Sequence, residues 1–187
     1  MHRKTFLLAL LGLTVLLTGC KKELKPDQLA PGVQPGQIYY TQFSLFQEKN
    51  NFRTTNYRKG ILIPINTAVS LQAINSGQAE LRLVESGQPL SIENVPKHTI
   101  DDMQTAFTKI AGTGKVDMNQ FSAAEKDAIL AGQVKKGMSR KAVLAAIGYP
   151  PQNETPSLNG NDWVYWKHRF DRFVVHFKND KVENIVD

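Results

Sequence analysis

The chain has 187 residues, 41% of them hydrophobic and 21% charged, with 23 Lys and Arg against 17 Asp and Glu for a formal net charge of +6. This suits one ordinary domain or two small ones and excludes a large multidomain enzyme, a coiled coil and a collagen-like fibre. The single cysteine, Cys20, excludes an intrachain disulfide and a cysteine-built zinc site, and the one long apolar run, Phe6 to Leu17, falls short of the roughly 20 residues that a spanning helix needs.

The first twenty residues carry the strongest signal. His2-Arg3-Lys4 is a basic start, Phe6 to Leu17 an apolar stretch, and Leu17-Thr18-Gly19-Cys20 follows at once. A charged start and a short apolar segment ahead of small residues describe an export signal that is cleaved. The tetrad LTGC resembles the bacterial lipobox, which implies that Cys20 is lipidated and becomes the first residue of the mature chain. Removing residues 1–19 takes Arg3 and Lys4 away and lowers the formal charge to +4. Lys21, Lys22 and Lys25 then lie beside the lipid, where each gains about 1 kcal/mol near an anionic surface. With no basic block of five or more, a nucleic-acid partner is not expected. The similarity to sorted Gram-negative lipoproteins extends to Lys21: Asp is the usual inner-membrane retention signal at that position, so the expected location is the outer membrane, facing the periplasm.

Residues 20–36 contain three prolines and two glycines without apolar periodicity and predict a lipidated flexible tether. Residues 37–98 predict a small β-rich module. Strands are expected over 38–43, 60–65, 68–74, 79–84 and 90–95, with Val69 and Leu71, then Leu81 and Leu83, on common faces. Five such strands suggest a barrel-like antiparallel sheet. The stretch 47–59 predicts a long polar loop, and Arg53, Tyr57 and Arg58 in it are candidate interaction residues.

From Thr99 the apolar period becomes helical. Thr99 or Asp101 can cap a helix whose buried face is Met103, Phe107, Ile110 and Ala111. Ser122 and Glu125 have capping-box spacing for a second helix. Ser139 predicts the cap of a third, with Ala142, Val143, Ala146 and Ile147 buried and Gly148 in a left-handed terminus before Pro150-Pro151. Three strands follow at 163–168, 173–178 and 181–186, the last two joined by an Asn179-Asp180 turn. The expected fold class is therefore α+β: a small N-terminal antiparallel β module followed, over 99–187, by a two-layer domain of helices on a three-stranded antiparallel sheet.

Within residues 128–187, Gly137-Met138-Ser139, Ile147-Gly148-Tyr149-Pro150, Trp163-Val164-Tyr165 and Val175-His176-Phe177-Lys178-Asn179-Asp180-Lys181-Val182 follow one pattern. It is a GMS helix start, a helix ending in G-x-P, a W-x-Y strand and a V-x-F-x-N-D-K-V hairpin. This pattern resembles the BamE/SmpA/OmlA family of small outer-membrane lipoproteins. The resemblance implies an auxiliary lipoprotein at the inner face of the outer membrane, supporting barrel assembly or envelope integrity. The sequence departs from that family in placing some sixty strand-like residues and an extra helix between the cysteine and the matching part.

Catalytic and metal patterns are missing from the sequence. There is no HExxH, no nucleophile elbow, no phosphate loop and no dinucleotide fingerprint, and His98, His168 and His176 have no helical spacing to one another. The expectation is a protein that acts by binding, without enzyme activity, metal or cofactor beyond the covalent lipid on Cys20. Its partners would be outer-membrane lipid, through the anchor, and an envelope protein. The candidate surface is Trp166 and His168, which face away from Trp163 and Tyr165, with Arg169 and Arg172 nearby. The alternative is an inhibitor or ligand-binding lipoprotein that uses the C-terminal sheet face.

Overall fold

Residues 22–187 are described by a computed structural model, in which the chain is a mixed α+β protein built around two hydrophobic cores. The expected export signal, Cys20 and Lys21 lie outside the described residues.

The first core is laid down by short alternating strands. They are β1 (Ile38–Thr41), β2 (Leu45–Gln47), β3 (Asn51–Arg53), β4 (Ile61–Ile63), β5 (Ala68–Ile74), β6 (Gln78–Leu83) and β7 (Pro89–Glu93). Val69, Leu71, Ala79, Leu81, Leu90 and Ile92 fall on one side and are buried, as a period of two requires when one sheet face is covered. Helix α1 (Pro96–Thr99) is a single turn; α2 (Met103–Ile110) runs into β8 (Ala111–Gly112), which pairs with β1. The strand order is β3-β7-β6-β5-β1-β8.

Four features differ from expectation. The sheet ends in β3 and β8 and does not close into a barrel, and β3 pairs parallel to β7 within an otherwise antiparallel set. Two strands, β2 and β3, lie at and within the stretch expected as a loop; three residues each, among Gln, Asn and Arg, they are too short to show a period. The described part of the expected tether is fastened to the first core. Leu24 N donates to Ile74 O at 2.9 Å, Gly36 N donates to Leu71 O at 2.7 Å, and Val33 is buried. The Tyr39 hydroxyl donates to Gly32 O and accepts from Gln34 N, so the segment's irregular backbone finds partners that regular structure would otherwise supply. Finally α2, expected to open the C-terminal domain, puts Met103, Phe107 and Ile110 into the first core.

The second core is formed by α3 (Ala123–Leu130) and α4 (Arg140–Ile147) on the sheet β11 (Lys181–Val186), β10 (Asp171–Lys178) and β9 (Asp162–His168), in that order. Trp163, Tyr165, Phe173, Val175, Phe177 and Val182 point into it. Ser122 and Glu125 form the expected capping box, Ser139 Oγ accepts from Ala142 N, and Asn179 and Asp180 take the positive φ values of 50° and 59° that a tight hairpin needs.

The two units interlock. Ile65 follows β4 but is buried in the second core. Ser44, also fully buried, donates through Oγ to Ile129 O at 2.6 Å and accepts from Ile65 N at 3.0 Å, while its own N–H donates to Ala145 O. Among the described residues no helix is long and apolar enough to cross a membrane.

Candidate functional site

Alternation on β9 and β10 sends one set of side chains into the second core and leaves another outside both cores. Val164, Trp166, Val174 and His176 are half-buried on this outer face, and Val186 of β11 is exposed. The register puts Arg172 opposite Trp166, and Val174 between Val164 and Val186. The face is thus a short apolar strip with an aromatic at one end.

Arg172 lies over the Trp166 ring, 5.4 Å from its centre, and holds Glu154 at 3.1 Å. A guanidinium over an indole face is attracted by the ring's quadrupole. The Trp166 indole N–H is buried and finds no acceptor among the described residues. At the β9–β10 turn, His168 lies 3.6 Å from Asp171 and Arg169 lies over the ring of Phe170, which is 83% exposed. Lys167 is bonded to Asp187 at 2.7 Å, and that hydrogen bond raises its pKa above the ordinary lysine value. Trp166, His168, Arg169 and Arg172 therefore do occupy one region. Phe170 was not among the expected residues, although an apolar residue between charged neighbours in a hairpin turn is a signal that sequence can give.

The second group separates. Arg53 pairs with Glu93 at 3.0 Å on the edge of the six-stranded sheet, and Tyr57 is half-buried. Arg58 is not available to a partner. Its guanidinium lies 4.5 Å from the Phe46 ring centre, donates to Gly132 O at 3.0 Å just beyond α3, and reaches Asn56 Oδ1 and Ile147 O at the end of α4. It satisfies carbonyls at the electronegative ends of two helices. Burial lowers its pKa to about 10, partly opposed by Tyr165. The backbone N–H of Arg58 also donates to Lys167 O at 3.1 Å, which docks the 54–59 segment on the free edge of β9.

Among the described residues no three His, Cys, Asp or Glu side chains gather where they could hold a metal ion. A cavity between the two units, lined by residues as far apart as Phe43 and Leu158, escaped sequence reading because no local pattern records it. No protein-family model, curated protein or solved structure matches this chain.

Proposed function

We propose that this protein is a lipid-anchored outer-membrane protein, facing the periplasm, that acts by binding a protein partner in envelope assembly. The observation that carries the reading is the outer face of β9-β10-β11. Val164, Trp166, Val174 and Val186 belong to neither core and are flanked by Arg172, His168 and Arg169. An aromatic stacked by arginine on a partly open apolar strip is the composition of an interface anchor. The lipobox-like tetrad ending in Cys20 supports the anchor, and the family resemblance of residues 128–187 supports the assembly role.

An anchor at Cys20 has a geometric consequence. Leu24, whose backbone is bonded to Ile74, lies only four positions further along the chain, so the lipidated residue lies at most about 14 Å from that point. On this reading the β5–β6 end of the first unit stands beside the membrane, and the second unit presents its outer face to the partner.

Fractionation of cells that express the wild-type chain and Cys20→Ala tests the anchor. The wild type is expected in the outer membrane and the variant in the soluble periplasmic fraction. Membrane retention of Cys20→Ala would overturn the lipid-anchored reading.

A further inference from the structure

We infer that two copies of this chain dock on each other. Phe170, at the tip of the β9–β10 hairpin, enters the cleft between the two units of the second copy, and the second copy returns the contact. The apolar strip of Val164, Trp166, Val174 and Val186 takes no part, so the inference stands apart from the binding role proposed above. One half of the contact is a protruding ring. His168 pairs with Asp171, so Arg169 and Phe170 alone make the turn, and Phe170 stands at the outermost point of the hairpin. At 83% it is the most exposed large hydrophobic side chain among the described residues. Within its own molecule the ring meets the guanidinium of Arg169, 5.3 Å from its centre.

The other half is the cleft between the two units, which is open to solvent along one side. Buried Phe43, Phe52, Ala106 and Ile110 make its floor, and Tyr149, 42% exposed, stands at its mouth. The Phe43 and Phe52 rings meet edge to face, with centres 6.1 Å apart at 62°. A further ring joins such a pair in an offset or edge contact. The space of about 230 Å³ exceeds the roughly 150 Å³ that holds a benzene ring. The open side lets that ring enter while it stays attached to its hairpin.

Charge matches the two halves. Most cations around the tip are paired: Lys167 with Asp187 at 2.7 Å, His168 with Asp171 at 3.6 Å and Arg172 with Glu154 at 3.1 Å. Arg169 pairs with no carboxylate among the described residues. A tip with one free cation gains little from an anionic lipid surface, which rewards clusters of them. One cation does suit one carboxylate, and Asp102 supplies it beside the cleft. It follows the lining residue Asp101, which is itself bonded to Lys109 at 2.6 Å. The Thr105 backbone N–H donates to Asp102 and lowers its pKa, so it stays charged.

Position makes the contact reciprocal. Glu154 lies between the lining residues Gln152 and Thr155, and the Arg172 that holds it is two residues beyond Phe170. Ring and cleft therefore border the same loop. A contact between two neighbouring patches of one surface is made twice across a two-fold axis, which closes the pair and leaves no unfilled cleft for a third copy.

Sedimentation equilibrium of the purified full chain carrying Cys20→Ala, in which no lipid drives association, tests the inference. The mass is expected to rise from one chain to two across the micromolar range and to stop there. Phe170→Ser removes two docked rings per dimer and should weaken association about a hundredfold, with the melting temperature of the dilute chain unchanged. Tyr149→Lys removes a wall at the mouth and sets a charge against the entering ring and Arg169, and should weaken it to a similar degree. Mixed together, the two variants should associate about tenfold more tightly than either alone, because the ring of one meets the intact cleft of the other. Trp166→Ala should leave the dimer intact, so failure here and failure of the outer-face reading are told apart. If Tyr149→Lys does not fold, Phe170→Ser alone carries the test. A chain that stays monomeric at sub-millimolar concentration, a dimer indifferent to Phe170→Ser, or no gain on mixing two folded variants would overturn the inference. So would a monomeric chain that binds anionic phospholipid vesicles through Phe170, which would make the ring a lipid contact.

Discussion

The side-chain amide of Asn56, in the first unit, donates to the carbonyl of Ile147 at the end of α4, at 2.6 Å. The same nitrogen reaches Tyr149 O at 3.2 Å, and Asn56 holds a φ of 54° that few residues other than Asn and Gly adopt. One buried side chain thus fastens the loop of one unit to the helix terminus of the other.

Asn56→Gly keeps the backbone conformation and removes both bonds, together with the one that Asn56 Oδ1 accepts from Arg58. It is expected to lower stability by about 2 kcal/mol, because Tyr149 O and the Arg58 guanidinium each lose a partner and Ile147 O keeps only its 3.5 Å contact with Arg58. Asn56→Ala should cost about 1 kcal/mol more from the left-handed backbone. Urea unfolding of both variants reads the difference; wild-type stability in Asn56→Gly would show that the units do not depend on this contact.

Glu125 gives the fold a dependence on acid. Burial acts to raise its pKa, but the backbone N–H groups of Ser139 and Ser122, helped by both hydroxyls, outweigh that and hold it at about 2 against an ordinary 4.5. A carboxyl whose pKa is depressed by folding stabilises the native state above its unfolded value. The contribution, about 3 kcal/mol at neutral pH, is then lost as pH falls from 4.5 towards 2. The stability gap between wild type and Glu125→Gln is therefore expected to narrow between pH 7 and pH 3. A gap that stays constant over that range would contradict the assignment.

Gly148 ends α4 at φ 73° and ψ −165°, a region open to glycine almost alone, and a Cβ built there would lie 2.5 Å from Phe43 Cε2. Gly148→Ala combines backbone strain with a clash against a cavity wall. A loss of about 3 kcal/mol or more is expected by thermal or urea unfolding, and a loss below about 1 kcal/mol would show that Phe43 can give way freely.

What the sequence made legible was local. Ser122 with Glu125, Ser139, and Asn179-Asp180 each act through hydrogen bonds or dihedral angles within a few residues, and each stands where its spacing placed it. Alternation likewise revealed the inward sets Val69/Leu71 and Trp163/Tyr165. What stayed hidden depends on distant partners. The face Met103-Phe107-Ile110 shows that a helix must bury something, but not that it buries it in the first core. Arg58 reads as a surface cation until the carbonyls of Gly132 and Ile147 are seen to converge on it. The cavity joins Phe43, His98 and Tyr149, which no window of sequence holds together.

Affinity capture from crosslinked membranes, with the wild-type chain, Trp166→Ala and Cys20→Ala side by side, tests the proposed binding role most directly. The wild type is expected to enrich barrel-assembly proteins of the outer membrane. Cys20→Ala should lose them with the proposed anchor, and Trp166→Ala should lose them while keeping the wild type's membrane fraction, at a cost of only about 1 kcal/mol in stability because the indole belongs to neither core. Undiminished capture by a folded Trp166→Ala chain, or no envelope protein enriched by the wild type, would contradict the account.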